Sequence, residues 1–408
     1  MPMDLVWTSY GRAAASALRE AVGRAKGDEP LAPVTVVVPS NHVGVASRRL
    51  LASGAVGPVA TGAGVGLAAV TFVTQYRLGE LLGAADLAAS ERRPVSTPVL
   101  AAAVRAELAV RPGLFEPVAA HPATESALVA TYRELRDCSP AALDALAGTS
   151  ARAAEVVRLH RAVRARLEGR WSDEEDLLRA ATARAGSPAA AELGAIVVHL
   201  PQRLSRHGAE MLRALGEHQP LTVVAATTGL AGADAEVTRS LERLGLDPAA
   251  PAGVGDAAPV AADRTSVITA SDADEEVRAA VRAVVRAVQG GTRLDRIAVL
   301  HATPEPYARL AHEQLQAAGV ATNGAAVVPL AARVAGRTLL ELLALPEGGF
   351  RRQDVLAWLS SSPVLHEGRW APVAAWERIS REAAVVAGRA QWADRLDAFA
   401  AHEEQLAG

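Results

Sequence analysis

Lysine is almost missing from this chain: of its 42 lysines and arginines, the only lysine is Lys26. A P-loop ends in Gly-Lys-Ser/Thr because an ammonium must reach the β- and γ-phosphates of a nucleotide. Lys26 stands in GRAKGDE with Gly27 after it, so the sequence contains no P-loop. Cysteine is nearly as scarce. The single Cys138 excludes an internal disulfide framework and suits a reducing cytoplasm. In YRELRDCSPAALDAL it reads as a small residue at a helix end rather than a nucleophile. No apolar run approaches the ~20 residues of a membrane span. The opening MPMDLVWTSYGRAAA lacks the basic and apolar regions of a signal peptide, so a cytoplasmic location is expected. The net charge of -3 supplies no basic field, and any binding to nucleic acid has to come from a local patch.

What is present is a chain of 408 residues, half of them hydrophobic and 21% charged, long enough for two or three globular domains. Alanine is abundant and arginine replaces lysine throughout. That pattern suits a GC-rich coding bias as well as any arginine chemistry, so the arginine count by itself carries little weight.

Strand and helix patterns alternate in the first third. MDLVWTS precedes GRAAASALREAVGRAK, PVTVVVPS precedes VGVASRRLLAS, and AAVTFVT precedes YRLGELLG, an order that predicts parallel βαβ units in an open sheet. The glycine-rich GPVATGAGVG between them reads as a loop, because no strand leads directly into it and no helix opens from it. From Pro98 to Ala185 every segment has helical spacing and several begin with Ser, Thr or Ser-Pro caps. Strand patterns return in AIVVHL and LTVVAAT. A linker rich in proline, glycine and alanine follows, and then a second apparent βαβ block, TSVITAS, DADEEVRAAVRAVVRAVQGG and DRIAVLHA. The expected division is a first α/β block in two parts, 1–88 and 189–247, around a helical insertion at 89–188. A linker at 248–264, a second block at 265–346 and a further helical insertion at 347–408 complete it. The chain stops in AHEEQLAG without a structural finish, which predicts more protein downstream.

The ordered segments resemble superfamily 1 helicases of the UvrD, RecB and AddB type. VVVPSNHVGVASRRLL is similar to the strand, loop and helix with which such helicases touch single-stranded DNA, and VTFVTQYRLGELL to the next such element. AIVVHLPQRLSRHGAEMLRAL resembles the segment whose acidic pair holds Mg²⁺, with His199 and Leu200 in place of the carboxylates. The stretch from Asp272 through IAVLHA to LLELLALP resembles the start of the second motor domain in AddB-like proteins. The resemblance implies a fold of two RecA-like parallel-sheet blocks with helical insertions, in which the motor is inactive. At the phosphate-loop position TSYGRAAASAL keeps Gly11 but follows it with Arg12, and loss of the lysine and the metal carboxylates removes what phosphoryl transfer depends on. Family members carry a C-terminal PD-(D/E)XK nuclease and act on DNA ends in double-strand break repair. Its Glu/Asp-x-Lys core is absent here, since Arg24 occupies that spacing before Lys26, which places any nuclease and its Mg²⁺ beyond Gly408. DNA ends or single strands and an AddA-like or UvrD-like helicase are the partners implied.

Several residues admit two readings. Ser40 and Asn41 can meet a phosphate or a base, or form an ordinary turn and helix cap. Arg48 and Arg49 can contact phosphates or form a solvated helix face. After Thr74 and Gln75, Tyr76 can stack on a base and Arg77 neutralise its phosphate, or the tyrosine can pack between sheet and helix. Asp274, Glu275 and Glu276 suit the positive end of a helix dipole better than a metal. WSDEEDLL reads as a capping box from Ser172 to Glu175. His199, His207 and His218 lack the i, i+4 pairing with a carboxylate that marks a zinc site. A small-molecule α/β enzyme would need a triad, a glycine-rich fingerprint or a metal cluster, none of which the sequence has. A protein-interaction scaffold without DNA affinity remains the alternative to the DNA-binding reading.

Overall fold

The computed structural model describes residues 3–59, 65–255, 265–324 and 330–407. The chain divides into two compact units, Met1–Ala261 and Ala262–Gly408. Part of the glycine-rich loop at 57–66 and most of the linker at 248–264 lie outside the described residues.

The first unit opens with β1 (Asp4–Ser9), α1 (Arg12–Lys26), β2 (Val34–Val38), α2 (Asn41–Ala52), β3 (Val70–Thr74) and α3 (Gln75–Ala89). Then come β4 (Arg93–Pro94), α4 (Thr97–Val110), α5 (Pro122–Leu135), α6 (Pro140–Ala147), α7 (Ala151–Leu167), β5 (Trp171–Ser172), α8 (Glu174–Ala183) and α9 (Pro188–Ala191). It closes with β6 (Ala195–His199), α10 (Arg206–His218), β7 (Leu221–Thr227) and α11 (Ala231–Leu244). Five of the strands form one parallel sheet in the order β1-β7-β6-β2-β3, so the strands that precede the insertion interleave with those that follow it.

The central strands read as continuous apolar runs because both faces of the sheet are covered. Every residue of β2 is buried. On one face Val36, Val197 and Val224 pack against Leu18 and Val22 of α1 and Leu51 of α2. On the other, Val37, Val198 and Val223 meet Leu78 of α3, Leu178 of α8, Met211 and Leu212 of α10 and Leu241 of α11.

Helices α4, α5 and α7 enclose a core of their own around Leu100, Val104, Tyr132 and Val163. The expected insertion at 89–188 is therefore broader than this bundle, because α8 and α9 join the sheet's core through Leu178, Ala181 and Ala190. Gly83 permits the close crossing of α3 and α8: a Cβ there would stand 2.7 Å from the amide of Ala181 and the carbonyl of Leu177. The capping box at α8 is shifted by one residue from the expected Ser172. Asp173 accepts from the Asp176 amide at 3.0 Å and the Asp176 carboxylate accepts from the Asp173 amide at 3.3 Å, while Ser172 is held in the β4–β5 pairing.

The second unit contains α12 (Ala273–Gln289), α13 (Tyr307–Ala317), α14 (Val334–Ala344), α15 (Arg352–Ser361), a two-residue antiparallel pairing of β8 (Leu365–His366) with β9 (Arg369–Trp370), α16 (Val373–Glu382) and α17 (Arg389–Ala407). The parallel sheet expected here does not form among the described residues. The runs TSVITAS and DRIAVLHA carry no strand, and Val267 and Leu300 are each 91% exposed. Two strands alone make too small a sheet to be stable, so the apolar pattern finds no ladder to join. Only Ile297 of these runs packs against the small core of Val277, Val281, Val284 and Leu315. Asp274, Glu275 and Glu276 lie in the first turn of α12 behind the Asp272 cap, where their charge favours the positive helix end.

Candidate functional site

In the first unit β2 and β6 are neighbours, but the helices that follow them leave on opposite faces of the sheet. Such a switch point opens a crevice at the carboxyl ends of the strands, the usual ligand position in an open α/β sheet. A cleft of about 370 Å³ lies there, at the ends of β2, β3 and β6.

Its floor is His199, which is 3% exposed. Burial alone depresses the imidazole to about 4, so the ring is neutral near pH 7, and its Nδ1 has no hydrogen-bond partner. The chain leaves the sheet immediately afterwards through Leu200, whose φ of 56° is left-handed and strained for a residue with a Cβ, while its amide still donates to the Val224 carbonyl at 2.9 Å. Pro201, Gln202 and Arg203 continue the wall. Arg203 is exposed and, among the described residues, has neither an ion pair nor a hydrogen bond.

The N-termini of α2, α3 and α10 all face this end of the sheet. Each is capped by a hydroxyl: Ser40 accepts from the Val43 amide at 3.3 Å, Thr74 from Arg77 at 3.2 Å and Ser205 from Gly208 at 3.1 Å. The caps satisfy individual amides but leave the positive dipole ends, which favour an anion. Gly208 lets α10 approach α3, since a Cβ there would fall 2.0 Å from Gln75 Nε2.

The structure thus gathers Thr74, Gln75 and Tyr76 with His199 and Leu200 around one cleft. Ser40 and Asn41 follow Pro39 of its wall at the neighbouring end of β2. Arg77 starts α3 but its guanidinium pairs with Glu80 at 3.0 Å. Arg48 and Arg49 stand outside the cleft on α2, with Arg48 lying 5.5 Å from the centre of the Phe72 ring. Gln202, Arg203 and Glu174 also line the cleft and were not singled out in the sequence. The polar pair between Pro201 and the Ser205 cap was the available signal for the first two; nothing local marks Glu174, which arrives from α8 by tertiary packing.

Gly11 and Arg12 lie at the end of β1, separated from β6 by β7. Only Tyr10 and Gly11 connect β1 to α1. Gly11 has a φ of 81°, which makes the tight reversal possible, but two residues are too few to wrap a ring of amides around a phosphate. Arg12 donates to the Ala55 carbonyl at 2.9 Å. Tyr10 Oη and Gln202 Nε2 approach within 3.5 Å, tying the β1 turn to the loop after β6.

His207 and His218 occupy opposite ends of α10 and do not join His199. Among the described residues no group of three or more His, Cys, Asp or Glu side chains is placed to hold a metal ion, and no helix is long and apolar enough to cross a membrane. The cleft offers a neutral imidazole, an aromatic face, an amide, a free guanidinium and helix ends. These can bind and orient an anionic, planar group, with the Glu174 carboxylate and the Thr74 and Ser205 hydroxyls also in the lining. No protein-family model and no curated protein matches the chain.

Proposed function

We propose that this chain is the non-catalytic, helicase-like part of an AddB-like exonuclease that holds DNA ends or single strands during double-strand break repair. In this reading the first unit, which holds the parallel sheet, is a RecA-like block of an inactivated superfamily 1 helicase. The protein works in the cytoplasm beside an AddA-like or UvrD-like helicase. The observation that carries the reading is the switch-point cleft, which brings Thr74, Gln75 and Tyr76 to the tip of β6, where the resemblance expects acidic residues and the chain has His199 and Leu200. The sheet interrupted by a helical bundle, and a β1 turn too short for a phosphate cradle, support it.

Binding of the chain to a single-stranded oligonucleotide and to a tailed duplex, measured over a salt series, tests it. Phosphate contacts release counterions, so affinity falls linearly in log-log form, with a slope of about 0.7 per phosphate contacted on a single strand. Salt-dependent binding with no ATP turnover is the expected result. ATP turnover that depends on single-stranded DNA overturns the inactive motor.

A second reading, a protein-interaction scaffold without DNA affinity, is favoured by the net charge of -3, the Arg77–Glu80 pair and the presence of Glu174 in the cleft. Absence of DNA binding at low salt selects it.

A further inference from the structure

A second cavity, of about 160 Å³, lies in the first unit where the helical bundle meets α8 and α10. It is lined by Arg136, Arg161, Arg164, Arg179 and Arg206 together with His160, and by no carboxylate. The i, i+3 spacing of Arg161 and Arg164 puts both on one side of α7. Arg136 arrives from the end of α5, Arg179 from α8 and Arg206 from the first turn of α10.

Four of these guanidinium groups have carboxylate partners: Arg136 pairs with Asp173 and Asp176, Arg161 with Asp144, Arg179 with Asp176 and Arg206 with Glu210. None of those carboxylates lines the cavity, but Asp173 and Asp176 stand close by, lining an adjoining space of about 170 Å³ that shares Arg136, Arg164 and Arg179 with it. Arg164 is exposed, and its side chain has neither an ion pair nor a hydrogen bond among the described residues. Two of the lining residues each hold one buried polar atom without a partner, Nε of Arg206 and Nδ1 of His160, the latter residue being 4% exposed. Buried polar atoms left unpaired cost stability, and a bound group able to pair with them would recover it. His160 also reports the local field. Burial first, and then Arg136, Arg164 and Arg161, drive its imidazole down to about 4, with Asp173 opposing, while Tyr132 covers the ring at 5.0 Å.

We propose that this cavity is a binding site for a phosphoryl group, held by the free guanidinium of Arg164 and the cavity edges of its neighbours. Guanidinium forks suit tetrahedral oxyanions, and planar donors converging from four elements favour phosphate over a monovalent ion. The volume lies below the roughly 300–1,000 Å³ of sites for drug-sized ligands, so the group enters as a small anion or as the terminus of a longer molecule. The inference stands apart from the DNA reading of the switch-point cleft.

Inorganic phosphate titrated into the full chain at low salt, followed by thermal unfolding and by the His160 ring signals in NMR, tests it. Phosphate is expected to raise the midpoint and to move the His160 titration up from about 4, because an adjacent dianion favours the imidazolium. Arg164→Gln, which breaks no ion pair, is expected to weaken phosphate binding about tenfold, while Arg152→Gln on the same helix leaves it within about twofold. A midpoint insensitive to millimolar phosphate, or equal binding by Arg164→Gln and the unchanged chain, overturns the site. So does an unmoved His160 signal at saturation. Competition by a 5′-phosphorylated oligonucleotide but not by its 5′-hydroxyl twin assigns the phosphoryl group to a DNA end; phosphate binding that neither oligonucleotide displaces assigns it to a free anion.

Discussion

Ser205 Oγ donates to Glu175 Oε2 at 3.4 Å, joining the cap of α10 to the first turn of α8, and Gln75 Nε2 reaches the same hydroxyl at 3.4 Å from α3. Three helices that surround the switch-point cleft therefore meet at one hydroxyl, which faces a buried carboxyl. Glu175 is 9% exposed and, among the described residues, forms no ion pair, while the nearby Asp137 pairs with Arg243 and accepts from the backbone amide of Arg206. Burial first and then Asp137 push the carboxyl up to about 7, against the hydrogen bond from Ser205.

The sign of the pH dependence follows from that shift. Below the ordinary value of 4.5 the group is protonated in both folded and unfolded chain. Between 4.5 and about 7 the folded chain keeps a proton that the unfolded chain has released, so stability falls as pH rises, by a total on the order of 3 kcal/mol. His160 and His199, each lowered from 6.5 to about 4, act in the opposite sense and add stability as pH rises between those values. The difference between Glu175→Gln and the unchanged chain isolates the carboxyl. Urea unfolding at pH 5 and pH 8 is expected to show near-equal stabilities at the lower pH and a more stable variant at the higher. A constant difference across that range would mean that Glu175 titrates normally.

The first unit was largely legible because its strands and helices carry local signals: the VTVVV run, the Ser and Thr caps and the return of strand pattern at AIVVHL all became elements. The interleaved order β1-β7-β6-β2-β3 depends on long-range pairing that no local pattern encodes. The same is true of α8, whose amphipathic face looks like its neighbours in the bundle yet packs Leu178 against the sheet. In the second unit the apolar runs at Val267 and Leu300 had the composition of strands without partners to make them so. In the cleft, Thr74 to Tyr76 and His199 were visible as strand ends, whereas Glu174 was not, because its place follows from the α3–α8 crossing. The arginine-lined cavity was hidden by the abundance of arginine itself; only folding separates Arg164 from its paired neighbours.

Lys26, the chain's only lysine, has a structural task. It is 5% exposed at the end of α1, and its Nζ donates to the carbonyls of Pro30 and Ala32, both at 2.8 Å. These bonds fold the connection between α1 and β2 back on the helix terminus, where a cation also complements the dipole. Lys26→Met preserves the apolar stem and removes the donors, leaving two carbonyls short of partners. A loss of about 1–3 kcal/mol in chemical unfolding is expected. A variant as stable as the unchanged chain would show that water replaces the ammonium at no cost.

Tyr76 offers the sharpest probe of the switch-point cleft. It is 43% exposed and stands between the cleft and a cavity of about 520 Å³ beside α3 and α8, so its ring has a free face rather than a fully packed one. Stacking of a base on such a ring is worth about 1–3 kcal/mol, and Tyr76→Ala is accordingly expected to weaken single-stranded DNA binding about tenfold or more. Arg203 acts through charge instead. Arg203→Gln is expected to lower affinity for all sequences alike and to reduce the salt slope by about 0.7, the value for one phosphate contact on a single strand. The two variants separate the two contributions: stacking lost at Tyr76 changes affinity with the slope intact, whereas the charge lost at Arg203 changes both. If DNA binds the unchanged chain and both variants equally, the DNA lies elsewhere on the protein.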